Sequence, residues 1–186
     1  MASLKDLKTR INSVKSTQKI TAAMKMVAAA KLRRAQEAAE AGRPYADRMR
    51  GVIANLAGKA DPISAPALLV GNGKSAKHLL VVISADRGLC GGFNGSITRA
   101  TRNEVARLRG ENKTVKLFMV GRKSADALRR ELGDIYMESL EGIQGTSVSY
   151  GDADSIGQTI RDGFEAGDFD VCSIIYNKFK SVIAQE

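Results

Sequence analysis

The sequence predicts an α/β protein, a Rossmann-like α/β/α domain joined to a long protruding N-terminal helix, and three observations carry that reading. Residues 3–41 contain neither glycine nor proline. Beyond residue 75, apolar runs of strand length alternate with helical segments. Residues 1–50 hold twelve Lys or Arg against Asp6, Glu37, Glu40 and Asp47, so this stretch carries +8 of the total +9.

The first element is the helix. "TAAMKMVAAAKLRRAQEAAEA" is dense in the strongest helix formers. Ser3 is positioned to cap it, with Asp6 three residues on in the place of the usual Glu of a capping box. Leu4, Leu7, Ile11 and Val14 follow three-four spacing. The stripe continues less regularly through Ile20, Met24, Val27, Ala28 and Leu32. Gly42 and Pro44 interrupt the pattern, which resumes at Tyr45, Met49, Val52 and Leu56, so a kink or a restart is expected there. The helical region thus spans 1–57 and a linker 58–74, with "GKADPISAP" (58–66) as its clearest part.

The remaining elements alternate over residues 75–186. "KHLLVVIS" (77–84) and "TVKLFMVG" (114–121) are apolar runs suited to buried parallel strands. "FNGSITRATRNEVARLRG" (93–110), "RKSADALRREL" (122–132) and "DADSIGQTIRDGFEAG" (152–167) read as helices. "DIYMES" reads as a short strand, and "DFDVCSIIYNKFKSVIAQE" as a strand to Ile175 or Tyr176 with another after Asn177. This repetition predicts a parallel sheet covered on both faces.

Geometry adds a demand. A helix over residues 3–41 would be about 60 Å long, whereas a domain of this size has a radius of gyration near 13 Å. Its seam therefore needs a partner helix, from this chain or another, and the expected partner is a C-terminal helix absent from this chain. No apolar run approaches the roughly 18 residues of a membrane span, and "MASLKDLKTR" lacks the apolar core of a secretory signal. Cys90 and Cys172 have neither metal-ligand nor disulfide-framework spacing, which suits a reducing compartment.

The most chemical stretch is "SADRGLCGGFNG" (84–95), a glycine turn leaving a strand. "GLCGG" imitates a nucleophile elbow. The chain's single histidine, His78, stands at the other end of the preceding strand, roughly 20 Å away, so Cys90 has no base. The glycines do not form G-x-G-x-x-G. "GNGKS" (71–75) ends like a phosphate loop but has Leu68 where its first glycine belongs. Turn geometry is the simpler explanation, with Asp86 or Asn94 capping the helix that follows.

"LKDLKTRINSVKSTQKITAAMKMVAAAKLRRAQ" (4–36), "RPYADRM" (43–49), "SADRGLCGGFN" (84–94) and "YNKFKS" (176–181), in this order, resemble the gamma subunit family of the rotary F-type ATP synthase, most closely its alphaproteobacterial members. The resemblance covers essentially the whole chain, and the family has roughly a further hundred residues ending in a long helix. It implies a central rotor shaft that couples proton flow to ATP synthesis. The N-terminal helix would form half of an antiparallel coiled coil inside a hexamer of alpha and beta subunits, and the α/β domain a foot near the epsilon subunit and the membrane rotor ring. It further implies a non-catalytic subunit with no cofactor, peripheral to the cytoplasmic face of a bacterial inner membrane, or to the matrix side in a mitochondrion. The start of the chain at the helix itself argues against a presequence.

Carried onto these residues, the resemblance makes Leu4, Leu7, Ile11, Val14, Met24, Val27, Ala28 and Leu32 the coiled-coil seam. Thr21, Lys25, Lys31, Arg33, Arg34 and Arg87 become candidate subunit contacts. Two other readings stand beside it. One is a nucleotide-binding α/β protein with a basic helical arm. The other is a nucleic-acid-binding arm, disfavoured because no aromatic residue precedes Tyr45 for base stacking.

Overall fold

A computed structural model of the chain describes residues 3–61, 64–143 and 148–181, together with the backbone of 184–185. The chain divides into two compact units, Met1–Asp61 and Pro62–Glu186.

The first unit is a single helix, α1 (Leu4–Ala57), of 54 residues and so about 80 Å long. Its start is the expected capping box: the Ser3 side chain accepts from the Lys5 N–H, and Asp6 Oδ2 accepts from the Ser3 N–H. The helix does not restart at Gly42–Pro44; it runs through both and through Gly51. Proline removes one backbone donor and costs a helix interior about 3 kcal/mol. Good helix formers on either side and the Arg33–Glu37 and Arg50–Asp47 pairs help to carry it through.

The second unit opens with a short helix, α2 (Ala67–Val70), inside the stretch expected to be linker; residues 62–63 of that stretch lie outside the described residues. The main sheet contains β1 (Lys77–Ile83), β2 (Thr114–Val120), β3 (Tyr136–Leu140) and β4 (Val171–Ile175), all parallel, in the order β3-β2-β1-β4. Between them run α3 (Phe93–Gly110), α4 (Arg122–Leu132) and α5 (Tyr150–Glu165). β5 (Phe179–Ser181) and β6 (Ala184–Gln185) form a separate antiparallel pair, so the strand expected after Asn177 does not extend the main sheet.

Alternation along the strands sorts the core into two layers. Leu80 and Val82 of β1 join Val115, Leu117 and Met119 of β2, under Ile97, Val105 and Leu108 of α3 and Ala125, Leu128 and Leu132 of α4. On the other face Leu79, Val81, Phe118 and Val120 meet Phe169 and the α5 residues Ile156, Ile160 and Phe164. His78 is the second residue of β1, one of the two inner strands; its ring nitrogen lies 3.3 Å from the Ser75 carbonyl oxygen.

Both ends of β1 are tied. At its start the Asp170 carboxylate accepts from the N–H groups of Ala76 and Lys77 and from Asn72 Nδ2. Asn72, in the last part of the expected linker, is thereby tethered beside the start of β1 and β4. At its end Ser84 Oγ donates to the Gly121 carbonyl and accepts from the Ser124 N–H. Gly121 has φ +97, and a Cβ there would lie 2.1 Å from the Ser84 carbonyl oxygen.

Gly121→Ala is accordingly expected to destabilise this unit by about 3 kcal/mol or more, read from denaturant unfolding. At Gly163 a Cβ would meet only the Phe169 ring edge at 3.0 Å, so Gly163→Ala should cost less. A second expectation concerns acid. The Lys116 hydrogen bond holds Asp168 below the usual carboxylate range, and the Lys77 N–H does the same first of all for Asp170. The native state thus takes up protons at lower pH than the unfolded chain. The stabilisation is present above the unfolded value near 3.8 and is lost as pH falls through the lower native values. Thermal midpoints should drop in that window, and Asp170→Asn should flatten the drop.

Candidate functional site: an exposed helical seam and a glycine turn

No residue of α1 is buried. Leu4, Leu7, Ile11, Val14, Met24, Val27 and Leu32 are all exposed large apolar side chains, and Ala28 lies exposed beside Val27. A shallow groove lined by Val14, Thr17, Gln18, Thr21 and Ala22 runs along part of this surface. Burying a Val, Leu or Ile is worth about 1.5–3 kcal/mol each, and α1 draws none of this from its own unit. Isolated helices draw little stability from propensity alone.

The polar side chains of α1 differ among themselves. Thr9, Thr17 and Thr21 donate from Oγ1 to the carbonyls of Lys5, Ser13 and Thr17, four residues back in each case. Thr21 is thus engaged within its own helix. Arg33 is paired with Glu37 at 2.8 Å, both side chains well exposed, whereas Lys25, Lys31 and Arg34 form no ion pair among the described residues. An exposed i,i+4 pair is worth only a few tenths of a kcal/mol, so Arg33 remains exchangeable.

The glycine turn is built differently from the sequence expectation. Asp86 does not cap the following helix. Its carboxylate accepts from the N–H of Arg122, the first residue of α4, and from the N–H of Gly142 beyond β3. It therefore staples the end of β1 to the segments leaving β2 and β3. Asn94 also faces backward: Oδ1 accepts from the Ala85 N–H, and Nδ2 donates to the Arg87 carbonyl and the Cys90 sulfur. The N-cap of α3 is Gly92, with no side-chain cap.

Arg87 and Cys90 are exposed on this turn. Cys90 Sγ lies 3.0 Å from Asn94 Nδ2 and 3.9 Å from the Arg87 carbonyl, a setting with no general base. Both cysteines are free, and desolvation pushes the Cys172 thiol up, away from thiolate character. Sequence reasoning missed Leu89. It takes a left-handed conformation at φ +59, which costs a non-glycine residue about 1–2 kcal/mol, and its side chain is fully exposed. The available signal was an apolar residue set among glycines in an otherwise polar turn.

The nucleotide reading loses its geometry here. In doubly wound sheets dinucleotides bind where the strand order reverses, which in this sheet is between β1 and β4. Asn177, two residues past β4, donates from Nδ2 to the Phe93 carbonyl and to Ser96 Oγ in the first turn of α3. These bonds tie the loop after β4 to the first turn of α3 at that position. "GNGKS" is a turn at the opposite end of the sheet: Asn72 Oδ1 accepts from the Lys74 N–H, Gly71 and Gly73 take positive φ, and β1 rather than a helix follows.

Comparison with known proteins gives one consistent answer. A family model described as ATP synthase matches residues 3–186. The ATP synthase gamma chain of Rhizobium etli is 58% identical over 186 residues, covering 100% of this chain and 63% of that protein. That of Brucella anthropi is 55% identical over 185 residues, with 63% of its length covered. Among solved structures, the Tetrahymena thermophila mitochondrial ATP synthase central stalk and c-ring contains a chain matching at TM-score 0.67 and 32% identity, over 90% of this chain and 69% of that one. A chain of the Euglena gracilis mitochondrial enzyme shares the fold at TM-score 0.53 and 17% identity, over 96% and 53% of the two chains. The chain spans about 63% of the length of the curated relatives it matches. Its motifs, fold and full-length matches agree: the chain belongs to the ATP synthase family, matching its gamma chains along the whole of its own length.

Proposed function

We propose that this chain forms part of the central rotor shaft of a proton-translocating ATP synthase, coupling proton flow to conformational changes in catalytic beta subunits. The observation that carries it is the apolar seam of Leu4 to Leu32, exposed along a basic 54-residue helix that buries nothing of its own. Such a helix gains stability by pairing with a second, and the seam's three-four spacing suits an antiparallel coiled coil with a further helix of the full-length protein.

On this reading the subunit itself is non-catalytic; two observations support it, the Asn94 amide rather than a base beside Cys90 and the Asn177 hydrogen bond that ties the loop after β4 to the start of α3. It acts by contact. As the shaft turns, differential contacts bias the states of neighbouring subunits. Lys25, Lys31, Arg33 and Arg34 meet acidic loops of the alpha and beta subunits. Arg87, raised on the turn beside Leu89, makes a second contact with the surrounding complex, and the α/β unit serves as a foot near epsilon and the rotor ring. Among the described residues no helix is long and apolar enough to cross a membrane, in keeping with peripheral attachment to the inner membrane.

The decisive experiment is co-purification of the full-length chain with alpha and beta subunits; failure to associate would sink the proposal. Within the seam, Val14→Glu or Val27→Glu places an unpaired charge at a cost of several kcal/mol. Assembly or proton-driven ATP synthesis should then fall at least about tenfold, and normal synthesis would count against the packing. At the turn, Leu89→Gly should leave stability unchanged or raise it by up to about 1 kcal/mol while weakening coupling. Loss of both together would instead make Leu89 a structural residue.

A further inference from the structure

The α/β unit is electrically two-sided. α3 and α4 cover one face of the sheet and carry Arg99, Arg102, Arg107, Arg109, Arg122, Arg129 and Arg130, with Lys123. α5, on the other face, carries Asp152, Asp154, Asp162 and Glu165 against Arg161.

Internal pairing does not neutralise the basic layer. Arg102 is taken by Glu131, a bridge that ties α3 to α4, and Arg107 by Glu104 and Glu111. That leaves Arg99, Arg109, Arg122, Lys123, Arg129 and Arg130 without an ion pair among the described residues, against one acid of these helices, Asp126, in the same condition. Between the arginines the exposed positions Ala100, Asn103, Ala106 and Ala127 are small, so the guanidinium groups stand accessible on a low surface.

The choice of cation separates the occupants. These two helices hold seven of the chain's 15 arginines and one of its 14 lysines. Arg109, Arg129 and Arg130 lie in last helical turns, where a positive charge complements the helix dipole, but lysine would serve that purpose equally. An anionic bilayer also attracts Lys and Arg alike through diffuse charge. Arginine is distinguished by its planar fork, which binds carboxylates bidentately, and by its enrichment at protein interfaces where lysine is depleted.

We infer that the outer face of α3 and α4 docks a carboxylate-bearing face of another protein subunit. The inference rests on the reading of the chain as part of a multi-subunit assembly. It assigns a contact to a part of the α/β unit that neither the seam of α1 nor the glycine turn includes.

The test uses the full-length chain in its assembled complex, carrying Arg99→Lys, Arg109→Lys, Arg129→Lys and Arg130→Lys together, and a second variant with Glu at the same positions. The Lys set keeps charge and helix propensity, and circular dichroism checks its folding. Treatment with a zero-length carbodiimide, which joins amines to carboxylates, should link the new lysines to Asp or Glu of another polypeptide and so name it. The salt concentration that half-releases that subunit should fall at least about twofold in the Lys variant and further in the Glu variant. Three results overturn the inference. One is cross-links only to this chain's own acids, with release unchanged in both variants. Another is release that changes with Glu but not with Lys. The third is loss of binding to phosphatidylserine vesicles, relative to phosphatidylcholine, as the Glu variant's sole defect. Retention of alpha and beta subunits by the wild-type chain is the control: its absence rejects the shaft reading, whereas its presence with a negative cross-linking result rejects this inference alone.

Discussion

A strand placed between two parallel neighbours must be covered on both faces, and β1 imposes that condition on the whole α/β unit. Leu79, Leu80, Val81 and Val82 are fully buried in succession, which requires α3 and α4 on one side and α5 on the other. The same requirement leaves only the ends of β1 free to carry polar chemistry. The Asp170 clasp at the start and the Ser84–Gly121 and Asp86 contacts at the end satisfy backbone groups that the ladder leaves over.

α1 obeys the opposite rule. It presents an apolar seam and buries none of it. One polypeptide thus combines a sheet that buries its own core with a helix that buries none of its apolar stripe.

Element positions were legible to within a few residues because each signal was local. Apolar runs bounded by Gly or Asn marked β1 and β2, and the Ser3–Asp6 box marked the start of α1. Three features were not legible, each for a nonlocal reason. Pro44 signals interruption locally, but surrounding helix formers carry α1 through it. Asp86 looks like a cap for the helix that follows it, and its partners lie 36 and 56 residues away. Leu89 has no side-chain preference for positive φ, and it takes that conformation inside a turn whose two ends Asn94 bridges by its bonds to Ala85 and Cys90. The seam residues were named from spacing, and all of them lie exposed on α1. Spacing and charge alone do not distinguish Lys25, Lys31, Arg33 and Arg34 from one another; the Glu37 pairing of Arg33 is the first difference the structure supplies.

Thr9, Thr17 and Thr21 of α1 each commit their one hydroxyl donor to a carbonyl of the preceding turn. The lone pairs of these hydroxyls stay open to an outside donor, but none of the three has a proton left to give, so toward any surface laid against it this threonine row is acceptor-only.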